Sequence, residues 1–363
     1  MLEKIPWRRK KKAFSAWQIE LTTRCPLLCK MCIRSERDDW QYQDMPLEDF
    51  RKILPYLREV GTVILEGWGE SLLHPSLIEC VRLVKQEGAE VGFVTSGKGL
   101  TRDFASELVH AGLDFMGFSI AGTKEETHAA IRVNSTLSEI RNAIHLTSEE
   151  RVRQGSPHPK MHFVFLMVKD NISEVPSVPS FAKELGIDEV VLINICHTIN
   201  SWQEEQRVFI WDPGENPHET FLKQAEQNAR KLHVKISRPS LSATQVSLCD
   251  ENPLRNLYVS ADGEVSPCVY LYPPLPSPFK RLFCDREYQV EKVSFGNILK
   301  EPFSTLWSRE SYVQFRDHLY ERDKKFKEVY FAFLDRFHPL DLNANPLPEP
   351  PEFCRSCHKT IGV

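Results

Sequence analysis

The chain has 363 residues, beyond the roughly 250–300 over which one core keeps growing, so a large domain with a smaller lobe is expected. Apolar residues make up 41% and charged residues 26%, and the net charge of -4 carries no sign of a nucleic-acid or anionic-membrane partner. No run approaches the roughly 18 apolar residues of a membrane span, and no apolar segment follows the basic N-terminus as in a signal peptide, so a cytoplasmic protein is expected.

Residues 1–15 form a basic tail containing Arg8-Arg9-Lys10-Lys11-Lys12, a charge run of the kind that is usually solvated. Strand and helix patterns then alternate. Strands are predicted at Ala16–Leu21, Thr62–Gly67, Glu90–Ser96, Leu113–Ser119, Lys160–Met167 and Glu189–Asn194, mostly as short apolar runs that suit a buried parallel sheet. Amphipathic helices fit between them at Pro46–Leu57, Pro75–Glu87, Arg102–Ala111, Leu137–Glu149 and Ser173–Leu185. Six such units predict an α/β fold, either an open sheet or a partial barrel. Beyond Asn194 the pattern changes. Asn200–Pro217 reads as irregular, His218–Leu232 as a helix and His233–Ser237 as a short strand, and a boundary is placed near residue 240. In the lobe, Ala261-Asp262-Gly263 between Leu257–Ser260 and Glu264–Cys268 signals a hairpin, Phe303–His318 is amphipathic, and Asn343–Glu352 is Pro-rich and extended.

Ten cysteines in a reducing compartment predict metal ligands, with some buried thiols left over, rather than disulfides. Cys25, Cys29 and Cys32 form C-x3-C-x2-C on the loop after the first strand. Three thiolates on one iron of a four-iron cube each leave the fourth iron open to bind another molecule. Zinc is the alternative, but a structural zinc site wants a fourth ligand, and no Cys or His follows within twenty residues.

The stretch from Ile19 through Arg24-Cys25-Pro26-Leu27-Leu28-Cys29-Lys30-Met31-Cys32 resembles the signature of the radical S-adenosylmethionine (SAM) superfamily. The resemblance implies a partial (β/α)6 TIM-like barrel over residues 16–240. It implies a [4Fe–4S] cluster whose open iron chelates the amino and carboxylate groups of SAM. One electron from that cluster then cleaves SAM to a 5′-deoxyadenosyl radical, which takes a hydrogen atom from substrate. A flavodoxin, ferredoxin or reductase would supply the electron. Gly67-Trp68-Gly69-Glu70 resembles the family's Gly-Gly-Glu motif, with Trp68 in place of the commoner glycine, and assigns Glu70 to the SAM ammonium. Ser96 stands in Thr95-Ser96-Gly97 where relatives carry Asn, and Ser119 and Arg132 match the Ser and Arg that hold SAM. The bland alternatives are a surface ion pair for Arg132, a structural or capping role for His74 and a core role for Leu192.

Cys249, Cys268, Cys354 and Cys357 can close a second iron–sulfur or zinc site. With Phe295-Gly296-Asn297-Ile298, Thr305-Leu306-Trp307 and Tyr312–Arg316, they resemble the SPASM/twitch extension of the same superfamily. The resemblance implies a cysteine-rich lobe over 241–363 with one auxiliary [4Fe–4S] cluster. Four ligands imply electron transfer rather than substrate chelation. Cys284 is read as a fifth ligand, a substrate contact or, in preference, a thiol that serves neither site, and Cys80 and Cys196 as packing residues. Relatives modify peptides and proteins, build cofactors or oxidise small metabolites. The short segment before the first strand leaves no room for a leader-binding domain, and the end Thr360-Ile361-Gly362-Val363 lacks the Gly-rich tail of the molybdenum-cofactor branch. Maturation of a peptide, protein or cofactor is the expected use, a small-molecule dehydrogenase the alternative. A non-catalytic electron carrier or zinc module is the rival of another class, but it has no need of Glu70, Ser119 or Arg132. Asp114, His162, Asn194 and His197 are unranked candidates for a catalytic base.

Overall fold

The computed structural model describes residues 12–35, 37–211, 214–336 and 346–363. The basic run up to Lys11, together with Asn343 to Asn345 of the Pro-rich segment named above, lies outside them.

The first strand β1 (Phe14–Ile19) is followed by α1 (Leu47–Leu57), β2 (Val60–Ile64), α2 (Leu77–Gln86), β3 (Glu90–Thr95), α3 (Arg102–His110) and β4 (Phe115–Ile120). Next come α4 (Glu125–Ile131), α5 (Leu137–Arg153), β5 (Lys160–Met167), α6 (Val178–Glu184) and β6 (Glu189–Asn194). The six strands pair in parallel in sequence order. Side chains such as Trp17, Val63, Phe93, Phe118, Phe163 and Val190 are fully buried against them. Helix starts follow local chemistry. Thr136 caps α5, with its hydroxyl accepting from the Glu139 amide while the Glu139 carboxylate reaches back, a capping box.

Beyond β6 lie α7 (Ser201–Glu205), α8 (Glu219–Leu232) and β7 (Lys235–Ser237), which extends the sheet in parallel beside β6. In the C-terminal part, β8 (Asn256–Val259) and β9 (Val265–Ser266) form the predicted hairpin. A second hairpin, β10 (Phe279–Phe283) and β11 (Arg286–Val290), turns through Cys284 and Asp285, both at positive φ. Helices α9 (Phe303–Trp307) and α10 (Glu310–Arg336) follow.

The sheet order is β7-β6-β5-β4-β3-β2-β1-β8-β9. It is a mostly parallel, open, partial barrel. β8 lies parallel against β1, with Ala16 opposite Asn256 and Ile19 opposite Val259, so the sheet itself crosses residue 240.

Candidate active site

The loop after β1 is braced from both sides. On one, the segment before α1 pairs with it: the Thr23 amide donates to the Gln43 carbonyl, the Met45 amide to the Leu21 carbonyl, and the Trp40 indole to the Thr23 carbonyl. Arg24 and Asp44 form a bidentate pair at 2.9 and 2.7 Å, which holds Asp44 below the usual carboxylate range against the opposing effect of burial. On the other side, the Leu28 and Lys30 amides donate to the carbonyls of Val133 and Ile131, tying the loop to the chain around Arg132. Cys25, Cys29 and Cys32 pack with Leu27, Met31, Ala121, Ile131, Val168 and Ile195 in a separate apolar cluster over the carboxyl ends of β4, β5 and β6. Burial pushes the Cys25 thiol up and the Cys32 thiol to about 11. Such thiols become thiolates when a cation is bound to them.

Gly69 allows the turn after β2 to lie directly on this loop: a Cβ there would overlap the Thr22 and Arg24 carbonyl oxygens. The Glu70 amide donates to the Arg24 carbonyl at 2.8 Å. The Glu70 side chain, 4% exposed, accepts from the Thr95 hydroxyl at 2.7 Å and from the Ser96 amide and hydroxyl at 2.9 and 2.8 Å. Two sequence-predicted residues, Glu70 and Ser96, are thus in contact, and Thr95 joins them. Among the described residues Glu70 has no cationic partner. Gly67 stacks against Glu20, whose carboxylate accepts from the Trp68 amide at 2.6 Å and the Tyr258 hydroxyl at 2.8 Å. Burial raises Glu20 to about 7 despite these donors.

Arg132 caps α4, its amide donating to the His128 carbonyl. Its Nε is buried without a partner, and among the described residues its guanidinium makes no ion pair, so the surface-pair alternative does not hold. His128 is fully buried between the Ala121 amide and the Ser135 hydroxyl, and burial lowers it to about 3. Ser119 is half-buried near the end of β4. His74 accepts from the Ser76 amide and bonds the Met45 carbonyl, which fits its structural reading. Leu192 is part of the main core.

Of the four base candidates, Asp114 pairs with Lys85 at the amino ends of the strands, where it lines a cavity of about 850 Å³ with Lys12, Arg58 and Glu90. This cavity is on the opposite face from the cysteines. His162 lies near the start of β5 against Gly117. Asn194 and His197 stand at the carboxyl end of β6, on the cysteine side. Residues that motif reading missed are Thr95, Glu20, Arg34 and Gln203. Arg34 bears electrostatically on Cys25 and Cys32. The buried Gln203 of α7 donates to the Lys30 and Cys32 carbonyls at 3.1 and 3.4 Å.

Cys249, Cys268, Cys354 and Cys357 line one cavity together with Glu251, Tyr270, Arg281 and Lys359. Burial raises the Cys249 thiol to about 12 and the Cys268 and Cys354 thiols further. Among the described residues no group of His, Cys, Asp or Glu is gathered closely enough to hold a single metal ion. Trp68 joins the two sites. Its indole donates to the Val269 carbonyl, beside Cys268, at 3.3 Å, and its ring meets His197 and Tyr270 edge-on at 5.6 and 6.2 Å.

Residues 19–179 match the radical SAM superfamily model and residues 249–330 the iron–sulfur cluster-binding SPASM domain. The chain belongs to the radical SAM superfamily, in its SPASM-bearing branch. Its cofactors are SAM and two [4Fe–4S] clusters. It is 27% identical over 82% of its length, and 82% of the relative's, to a tungsten-containing aldehyde ferredoxin oxidoreductase cofactor-modifying protein of Pyrococcus furiosus. It is 26% identical to a PqqA peptide cyclase of Streptomyces rochei, over 80% of this chain and 74% of that one. In fold it is similar to Streptococcus suis SuiB bound to SAM, with a TM-score of 0.59 at 10% identity over 84% of this chain and 68% of that one. It is also similar to anSMEcpe with bound SAM, with a TM-score of 0.58 at 16% identity over 82% of both chains. No described helix is long and apolar enough to cross a membrane.

Proposed function

We propose that this chain reductively cleaves SAM and uses the 5′-deoxyadenosyl radical to abstract hydrogen from a peptide, protein or cofactor precursor. When bound, the cluster of the N-terminal loop supplies the electron and the open iron for SAM. Cys25, Cys29 and Cys32 hold it, within a barrel of residues 16–240. The observation that carries the reading is a pair of charges beside this loop that lack a counter-ion among the described residues. Glu70 is a buried carboxylate without a cation, and Arg132 a guanidinium without an anion. An isolated buried charge is costly, so Glu70 wants a partner, and the half-buried Arg132, its Nε enclosed, leaves its guanidinium open to one. The ammonium and carboxylate of one amino acid satisfy both. Thr95, Ser96 and, at 3.4 Å, the Leu72 amide hold the Glu70 carboxylate in place. Gly67 and Gly69 let its loop approach, and Ser119 offers a hydroxyl to the ligand.

Cys249, Cys268, Cys354 and Cys357 hold the auxiliary cluster within a lobe of residues 241–363, and their number leaves it to carry electrons rather than bind substrate. The net reaction is then an oxidation, which makes the chain an oxidoreductase or maturase. The relatives' names, a cofactor-modifying protein and a peptide cyclase, support maturation over metabolite oxidation. We place the protein in the cytoplasm, served by a flavodoxin, ferredoxin or reductase, with no nucleic-acid or membrane partner. Anaerobic reconstitution with iron, sulfide, SAM and dithionite tests the reading. The expected product is 5′-deoxyadenosine, lost in the C25A/C29A/C32A variant. Iron uptake without 5′-deoxyadenosine would instead mark an electron carrier.

A further inference from the structure

Arg281, on β10, is 1% exposed. One terminal nitrogen donates to the Tyr270 carbonyl at 2.8 Å, and the other, Nη1, is buried without a partner. Among the described residues no carboxylate pairs with it. Glu251 lines the same cavity but is taken by Lys359 at 3.0 Å. Its other polar neighbours, His197 and His358, offer no anion. Phe279 flanks the guanidinium at 5.6 Å and keeps that side dry. Arg281 lines the cavity of Cys249, Cys268, Cys354 and Cys357, and its charge acts on the Cys354 thiol.

A guanidinium cannot shed its proton to escape burial, so an anion must answer it. The anion available in this cavity is the cluster with its four thiolates. We propose that Arg281 is the electrostatic partner of the auxiliary cluster, donating toward its sulfurs from Nη1 and raising its reduction potential. A positive charge held in a dry site stabilises the extra negative charge of the one-electron-reduced cluster more than that of the oxidised one. It thereby favours electron transfer from a substrate radical into the lobe. The inference rests on the assignment of the four cysteines as ligands of that cluster.

The experiment is an EPR-monitored redox titration of the anaerobic holoenzyme and of R281Q, with iron counted in each. At the potential where the wild-type auxiliary cluster is half reduced, the reduced-to-oxidised ratio in R281Q should fall at least tenfold, about 59 mV for one electron. The SAM-binding cluster serves as internal control and should not move. Full iron with an unchanged auxiliary potential overturns the proposal. If R281Q does not load iron, wild-type protein labelled with ¹⁵N-guanidino arginine gives the answer. Pulsed EPR should show a nitrogen coupled to the reduced auxiliary cluster, lost in R281K, and its absence in the wild type overturns the proposal. Failure of the underlying assignment looks different: C354A/C357A would then leave the iron count of the wild type unchanged.

Discussion

The proposed roles of Glu70 at the ammonium and Arg132 at the carboxylate of SAM can each be tested alone. Glu70→Gln keeps the shape but loses the charge and an acceptor for Thr95 or Ser96. Hydrogen bonds to charged groups are worth about 1.5–3 kcal/mol, so SAM binding should weaken by about 10- to 100-fold in calorimetric titration. Equal affinity in wild type and variant would remove Glu70 from the site. Gly69→Ala should do a different kind of damage. Its methyl would enter the space of the Thr22 and Arg24 carbonyls, at a cost of about 1–3 kcal/mol in denaturant unfolding, with loss of iron from the N-terminal loop. Glu20 carries a pH signature. Its neighbours are Tyr258, the Trp68 and Ala261 amides, Asp262 and Lys292. Its folded-state value of about 7 lies above the usual 4.5, so the folded state holds its proton more tightly. The stability it contributes is complete below pH 4.5 and is lost as pH rises through 7. Wild type should therefore lose on the order of 3 kcal/mol relative to Glu20→Gln over that window in urea unfolding at a series of pH values, and parallel curves would contradict this. Glu70, Ser96 and the cysteines were legible because their motifs are short and local. Glu20 was not, because the Tyr258 hydroxyl that defines its role is 238 positions away.

At the scale of elements, the parallel strands were the readable part. Lys160–Met167 and Glu189–Asn194 appear with the predicted ends, since uninterrupted apolar runs in a buried sheet announce themselves. The helix read over Ser173–Leu185 begins instead with a 3₁₀ turn at Ile172–Ser177, containing Pro176, before α6. α7 was missed inside a span read as irregular, because five residues are too few to show a 3.6-residue period. Yet α7 is what secures the cysteine loop from outside. Gln203→Ala would strand the Lys30 and Cys32 carbonyls, at about 1–3 kcal/mol. Iron should be lost from the N-terminal site while the auxiliary cluster stays, as judged by EPR of the two centres. The β10–β11 hairpin was missed too, because its turn uses Cys284 and Asp285 at positive φ rather than an Asn-Gly or Asp-Gly pair. That hairpin is the element that carries Arg281.

Across the whole molecule, the pairing of β8 with β1 decides how the parts cohere. Each interior strand of a sheet depends on both neighbours for its ladder, and β1 has β2 on one side and β8 on the other. Unfolding should thus follow one cooperative transition, coincident by tryptophan fluorescence and far-ultraviolet circular dichroism, rather than a separate step for each part. A fragment ending at residue 240 should be far less stable than the full chain, because it leaves the Ala16–Ile19 edge unpaired. Two resolved transitions would show that the sheet does not couple the two regions.

The same pairing limits what recombination can do with this chain. A crossover placed in the loops near residue 240 would deliver a foreign β8 to a β1 that had never matched it. Register and packing at Ala16, Trp17, Gln18 and Ile19 would both have to be met by chance. Exchange of the C-terminal part between relatives is therefore expected to work only when the edge of the first strand travels with it.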